Sequence, residues 1–402
     1  MLDKHAQILP QPEAQAKKQS QLVKQCIQDA CKPGDGWINF SEFMNIALYQ
    51  PALGYYSGGS QKFGEKGDFI TAPEVSALFG QCLANQVAEV FQNLESANGE
   101  KALLVEFGAG SGILAADLLL QLERLGCLPE QYLIIELSAE LKQRQKETIS
   151  NKAGHLLNTV QWLDQLPEAV SNAVVIANEV LDAMPLECFK VANKAGDIES
   201  LMLGFDNDEL VSCYQPAGDA VLQKISEMQQ RSEFTLSENY KSEYNPAIAG
   251  WLSAIESQIK NLVILLIDYG YNEKEYYQSD RVNGTLLCYY QHRAHDNFLW
   301  WPGLQDITAF VNFTDVAYSA HDSGLQVSGY TTQAAFLLAN GLAELHAAQV
   351  TDEVQQQIKL SQQIKTLTLP SEMGDKFKVM VLTKNYEEPL TGFSMLDLRN
   401  RL

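Results

Sequence analysis

Between Val105 and Gly112 the chain reads Val-Glu-Phe-Gly-Ala-Gly-Ser-Gly, with Glu106 just ahead of three alternating glycines, Gly108, Gly110 and Gly112. Glycines without a Cβ let a backbone pass close to a ligand. At a junction from strand to helix they mark the place where open α/β sheets bind, outside the carboxyl ends of their strands. Glu136 closes the next predicted strand 24 residues beyond Gly112, where a carboxylate can accept both hydroxyls of a ribose. A nucleoside-bearing cofactor is implied. The dinucleotide fingerprint G-x-G-x-x-G does not fit, because it needs glycine at the position held by Ile113. A second acidic group stands in Asn178-Glu179-Val180-Leu181-Asp182-Ala183-Met184-Pro185. Carboxylates three residues apart suit the planar fork of a guanidinium, and can help to remove a proton as a nitrogen attacks. The structural alternative is that Asp182 caps a turn before Pro185 and Glu179 is a solvated charge.

The elements that must position these residues alternate. A strand Ala102 to Phe107, a helix Ile113 to Leu125, a strand Gln131 to Leu137 and a helix Ala139 to Ile149 follow one another with short connections, which predicts parallel strands. A short strand near Val160 to Trp162 comes next, then Ala173 to Ala177, a run of small and β-branched residues suited to a central buried strand. The next buried run, Leu262 to Asp268, arrives too late for a tight crossover, so an insertion lies between them. It begins with two or three short antiparallel strands over 187 to 214 and a helix from Asp219 to Gln230, and could shape substrate access. Further on come strands near Leu286 to Tyr290 and Leu325 to Ser328, helices Thr332 to Ala348 and Asp352 to Thr366, and a closing strand Phe377 to Thr383.

The order E-x-G-x-G-x-G resembles that of S-adenosylmethionine-dependent methyltransferases of the Rossmann-like class. A narrower resemblance, to the MidA-like family, rests on Leu53-Gly54-Tyr55-Tyr56, on Gly67 to Glu74 (Gly-Asp-Phe-Ile-Thr-Ala-Pro-Glu) and on the Asn178 to Pro185 segment. It rests also on Ile267-Asp268-Tyr269-Gly270, Gln305 to Ala309, Thr331 to Phe336 and Gly374 to Val379, so that it spans about residues 40 to 385. Ala109 and Ser138-Ala139 depart from the family's frequent prolines without removing a charge. The resemblance implies an α/β fold: a Rossmann-like class I seven-stranded sheet with an N-terminal helical lid segment and an inserted α+β subdomain. It implies S-adenosyl-L-methionine as cofactor, no metal, and methyl transfer by in-line displacement. Mitochondrial members of the family are complex I assembly factors that methylate an arginine of a complex I subunit, so a protein arginine is the expected acceptor. A small cationic acceptor, or a non-catalytic cofactor-binding assembly factor, remain alternatives.

On this basis Glu106, Gly108, Gly110, Gly112, Glu136, Phe69, Thr71, Trp162 and Asn178 are expected at the cofactor, with Glu106 on loop amides or the cofactor's ammonium. Glu179 and Asp182 are expected to be catalytic, and Tyr269, Tyr290 and His292 to line the substrate pocket, with Tyr289, Phe298, Trp300 and Trp301 as further aromatic walls for a cation.

Composition sets the boundaries. With 402 residues, 46% hydrophobic, the chain can form a principal core with additions. The expected division is a polar segment 1–35, a helical lid region 36–100, a core of 101–185 and 262–385, the insertion 186–261 and a tail 386–402. Fifty acidic against 29 basic side chains, a charge of −21, repel phosphate backbones, so a nucleic-acid partner is not expected and a basic protein is. A homodimer through the late helices is conceivable on the same sequence. Seven cysteines without a C-x-x-C pair argue for a reducing compartment and against a zinc site. The first residues resemble no targeting peptide and no apolar run is long enough for a membrane span, so a cytoplasmic, bacterial protein is expected.

Overall fold

The computed structural model describes residues 9–58, 71–193, 196–232, 235–350 and 353–402. The chain forms two compact units, one of residues 71–184, 246–278 and 310–402, the other of 1–70, 185–245 and 279–309.

The first unit is built on one large sheet. Its strands are β1 (Leu103–Phe107), β2 (Tyr132–Ile135), β3 (Val160–Leu163), β4 (Val170–Asn178), β5 (Ile259–Tyr271), β6 (Gln326–Thr332) and β7 (Phe377–Lys384). They lie in the order β3-β2-β1-β4-β5-β7-β6, and a two-residue strand, Val311–Asn312, adds to the end of β5. The pairs from β3 to β5 are parallel, whereas β7 runs antiparallel to both of its neighbours. The parallel strands agree with the alternation of elements, and the Rossmann-like class I sheet that they form is the one the resemblance implies.

The period of two along the central strands explains the three layers. Val174 and Ile176 of β4, with Val263, Leu265 and Ile267 of β5, belong to one apolar cluster, which also takes buried residues of helices Ala77–Asn98, Ile113–Arg124 and Ala139–Ala153. Their neighbours Ala173, Val175 and Ala177, with Leu262, Ile264 and Leu266, belong to the other, together with helices Ile248–Gln258 and Phe313–Asp322. Strands buried on both faces need a continuous apolar run rather than alternation, and these strands have one.

Some elements differ from expectation. The single helix predicted over Thr332 to Ala348 is two, Gln333–Ala339 and Leu342–Ala347, because Gly341 takes a left-handed φ of 86° and breaks the run. Helices Ile248–Gln258 and Phe313–Asp322, absent from the elements expected above, cover one face of the sheet.

In the second unit a five-stranded antiparallel sheet runs in the order Trp37–Asn39, Ile198–Asp206, Glu187–Val191, Lys241–Tyr244, and Glu209–Pro216 also pairs with Ile198–Asp206. Helices Ala14–Cys31 and Phe40–Tyr49 and a three-stranded sheet from Leu287–Tyr290, Arg293–His295 and Asp306–Thr308 complete it. The polar N-terminal segment, the insertion up to Asn245 and residues 279–309 thus share one unit, where the expected division gave the first two regions of their own and put 279–309 in the core. Among the described residues no helix is long and apolar enough to cross a membrane.

Candidate active site

The glycine loop leaves β1 as expected. Gly108, Gly110 and Gly112 all have positive φ (63°, 52° and 81°), conformations that a side chain would strain. Their surroundings differ. A Cβ on Gly112 would come within 2.9 Å of Gln145 Cα, so this glycine permits helix packing, while Gly108 is exposed and a Cβ there would come within 3.0 Å of Val180 Cγ2. Beyond β2, Glu136 is half-buried and accepts the Ser138 amide at 2.9 Å and the Gln145 side-chain amide at 3.1 Å. Burial pushes its carboxyl upward, and the Ser138 and Gln145 bonds oppose that.

Gln145 ties these parts together. Fully buried, it also donates to Gly110 O at 3.2 Å and accepts the Trp162 indole N–H at 2.9 Å. One side chain therefore fixes the glycine loop, the acid after β2 and the side chain on β3. The sequence concealed it, because the helix Ala-Glu-Leu-Lys-Gln-Arg-Gln-Lys around it is polar and Gln145 looks like one more solvated residue. Trp162 supports Gln145, with Lys146 Nζ 5.1 Å from its ring centroid.

Glu106 requires a correction. It was expected on loop amides or on a ligand, but it is 1% exposed and its carboxylate accepts the Tyr132 hydroxyl at 2.7 Å, linking β1 to β2 beneath the loop. Burial pushes its carboxyl up to about 7, the Tyr132 bond working the other way.

At the end of β4 stand Asn178, Glu179 and Asp182. Asn178 Oδ1 is buried without a hydrogen-bond partner among the described residues. Glu179 has a left-handed φ of 53°, uncommon and costly for a residue with a Cβ, and its amide donates to Ile267 O on β5 at 2.9 Å. Asp182 is 7% exposed and accepts the Tyr269 hydroxyl at 2.5 Å. Asp268 on β5, to which sequence reasoning gave no role, organises this turn: one carboxylate oxygen accepts the amides of Leu181 and Asp182 at 3.1 and 3.3 Å, the other that of Tyr269 at 2.9 Å. Burial, and then the charges of Asp182 and Glu179, raise its carboxyl well above the usual range. Of the two proposed catalytic acids, Glu179 is the more accessible and Asp182 the more structural.

Thr71 precedes the short helix Ala72–Val75, and its carbonyl accepts the Glu74 amide. Phe69 lies outside the described residues. Tyr290 and His292 belong to the second unit. There Tyr290 packs on Trp301 with 5.1 Å between centroids, and His292 is exposed in a turn with φ 61°.

A family model described as "Putative S-adenosyl-L-methionine-dependent methyltransferase" matches residues 82–331, more than half of the chain. The chain belongs to this MidA-like family of methyltransferases. A candidate methyl transferase from Burkholderia thailandensis, solved bound to S-adenosyl-homocysteine, is similar over 98% of this chain and 100% of its own, at 35% identity and a TM-score of 0.90. The protein arginine methyltransferase NDUFAF7 homolog, mitochondrial, of Drosophila melanogaster is 27% identical over 96% of this chain and 92% of its own. Protein arginine methyltransferase NDUFAF7, mitochondrial, of Danio rerio is 24% identical over 90% of each.

S-adenosylmethionine is accordingly the cofactor of this methyltransferase, and the geometry suits it. A carboxylate offers about four lone-pair positions, and beside its protein donors Ser138, Gln145 and Leu137 the Glu136 carboxylate keeps acceptor capacity for the ribose. Leu137, immediately after it, is 77% exposed, an apolar side chain placed where a base ring can cover it. The unpartnered Asn178 Oδ1 would be satisfied by a ligand N–H.

Proposed function

We propose that this methyltransferase modifies an arginine side chain of a protein. The observation that carries the proposal is the turn after β4, where the Asp268 carboxylate accepts the Leu181 and Asp182 amides and the charges of Asp182 and Glu179 act on it. Like charges placed this close favour a cation that relieves them, and the half-buried Glu179 is the group that can meet it. A planar guanidinium fits a carboxylate through two parallel N–H···O bonds. The names of the NDUFAF7 relatives support the same acceptor class, and a charge of −21 favours a basic partner.

When bound, the cofactor supplies a methyl group on a positively charged sulfur. In this proposal Glu179 orients the guanidinium and holds the proton that its nitrogen gives up. Asp182, fastened by Tyr269, and Asp268, fastened by three amides, keep the turn from relaxing out of its strained shape. Glu136 and Gln145 hold the nucleoside end. The same proposal takes the cytoplasm as the compartment, in keeping with seven free cysteines.

The deciding experiment incubates the purified protein and methyl-labelled cofactor with a lysate, then hydrolyses the labelled fraction to amino acids. Methylarginine in a protein band is the expected result. Label confined to small molecules would point to a small cationic acceptor, and binding without transfer to a non-catalytic role.

A further inference from the structure

Burial of Glu106 leaves a chemical question at the glycine loop. The methionine portion of S-adenosylmethionine carries an ammonium group, and the acid expected to meet it is 1% exposed beneath the loop, occupied by Tyr132. A different carboxylate faces the loop. Glu74, in the short helix Ala72–Val75, accepts the hydroxyl of Ser111, the residue between Gly110 and Gly112, at 2.5 Å. A hydroxyl on a carboxylate is a charge-assisted hydrogen bond, and it ties Glu74 to the loop.

We propose that Glu74 is the residue that binds the cofactor's ammonium group, with Ser111 holding it in place. Three observations support this assignment. Glu74 is only partly buried, so one oxygen serves Ser111 while the carboxylate keeps acceptor capacity for a second donor. Among the described residues no Lys, Arg or His pairs with it, so its charge is not already spent on a protein cation. The nearby Asp117, by contrast, is neutralised by Lys152 at 2.8 Å, even though Asp117 feels the charge of Glu74. Among the described residues Glu74 is thus a carboxylate without a cation partner that is hydrogen-bonded to the loop itself. The assignment concerns the cofactor's amino-acid end and does not depend on which acceptor is methylated.

Calorimetry with the full-length protein tests it, using S-adenosylhomocysteine and its deaminated analogue, in which hydrogen replaces the α-amino group. Glu74→Gln keeps the size and a neutral acceptor for Ser111. It should weaken S-adenosylhomocysteine by about ten- to a hundredfold, the scale of one charged hydrogen bond. The deaminated analogue should bind the variant and the wild type alike, within about twofold. Ser111→Ala, which frees Glu74 without removing it, should show the same selectivity with a smaller loss, and provides the measurement should Glu74→Gln not fold. Equal losses for both ligands would mean that Glu74 only shapes the loop, and no loss for either that it makes no contact; each outcome overturns the assignment.

Discussion

The two ends of the site handle buried acid in opposite ways. At the nucleoside end Glu136 receives neutral donors, Ser138 and Gln145, and Gln145 is itself braced by Gly110 and Trp162. At the end of β4 the acids crowd one another: Asp268 is fully buried, Asp182 nearly so, and Glu179 sits on a strained backbone. The first arrangement is complete before any ligand arrives. In the second, Asp268 takes three backbone amides and Asp182 the Tyr269 hydroxyl, donors that anchor the turn at its buried acids. A pre-built pocket of neutral donors around one acid suits a cofactor shared by every turnover; a negative, strained turn suits an acceptor that must be held and relieved of a proton.

The largest expected effect lies at the nucleoside end. Glu136→Ala removes the acceptor assigned to both ribose hydroxyls and leaves the Gln145 amide and Ser138 N–H without their partner. Cofactor affinity should fall by about 2 to 4 kcal/mol in calorimetry, the scale of two hydrogen bonds to a charged group. Unchanged affinity would move the ribose contact elsewhere and dissolve the contrast between the ends.

Glu106 lets the electrostatics beneath the loop be measured without any ligand. Its carboxyl is raised in the folded state to about 7 from an ordinary 4.5, so the native protein holds this proton more tightly than the unfolded chain does. The stability it contributes is therefore fully present below about pH 4.5 and is lost as pH rises toward 7. At 1.36 kcal/mol per unit, the shift corresponds to about 3 kcal/mol. Glu106→Gln should flatten that slope, read as the urea midpoint at pH 5 and pH 8, and should leave the variant relatively more stable at the higher pH. An unchanged slope would place the titration elsewhere, with Glu136 and Asp268 the next carboxyls to replace.

At the other end Glu179→Gln keeps the side chain's shape and removes its charge. Transfer should fall by roughly 10², with cofactor affinity retained. Asp182→Asn should have a milder effect, because Asp182 is buried on Tyr269 and serves the turn more than the acceptor. A loss of cofactor affinity that matches the loss of rate would join the two ends into one site and remove the distinction drawn between them.

How far the sequence reveals this arrangement depends on the type of signal. The parallel sheet is legible because its central strands are continuous apolar runs with short connections, and the glycine loop because its spacing is distinctive. Gln145 and Asp268 are not legible in the same way. Gln145 is hidden in a polar helix whose inward face only the packing defines. Asp268 follows an apolar run, and its role depends on amides that lie nearly 90 residues away in sequence. Glu106 shows the converse error: its position in the glycine motif suggests a ligand, yet the alternation of side chains along β1 turns it onto Tyr132, within the sheet. The broken helix at Gly341 was in principle readable, since a glycine inside a helical pattern can be its terminus.

The smallest effect expected is at Trp162, and it sharpens the comparison because it touches only one end. Trp162→Phe keeps an aromatic ring on β3 and removes the indole N–H that Gln145 Oε1 accepts at 2.9 Å. Gln145 is fully buried, so that oxygen loses its partner where water has little access, at a cost of about 1 to 2 kcal/mol in stability. The Gln145 amide would then hold Glu136 and Gly110 less firmly, and cofactor affinity should fall a few-fold. At saturating cofactor the rate should be unchanged, because the bonds of Gln145 run to Gly110, Glu136 and Trp162 and serve the nucleoside end. A fall in saturated rate would show that strain passes from the nucleoside end to the turn after β4, and that the two ends do not act independently.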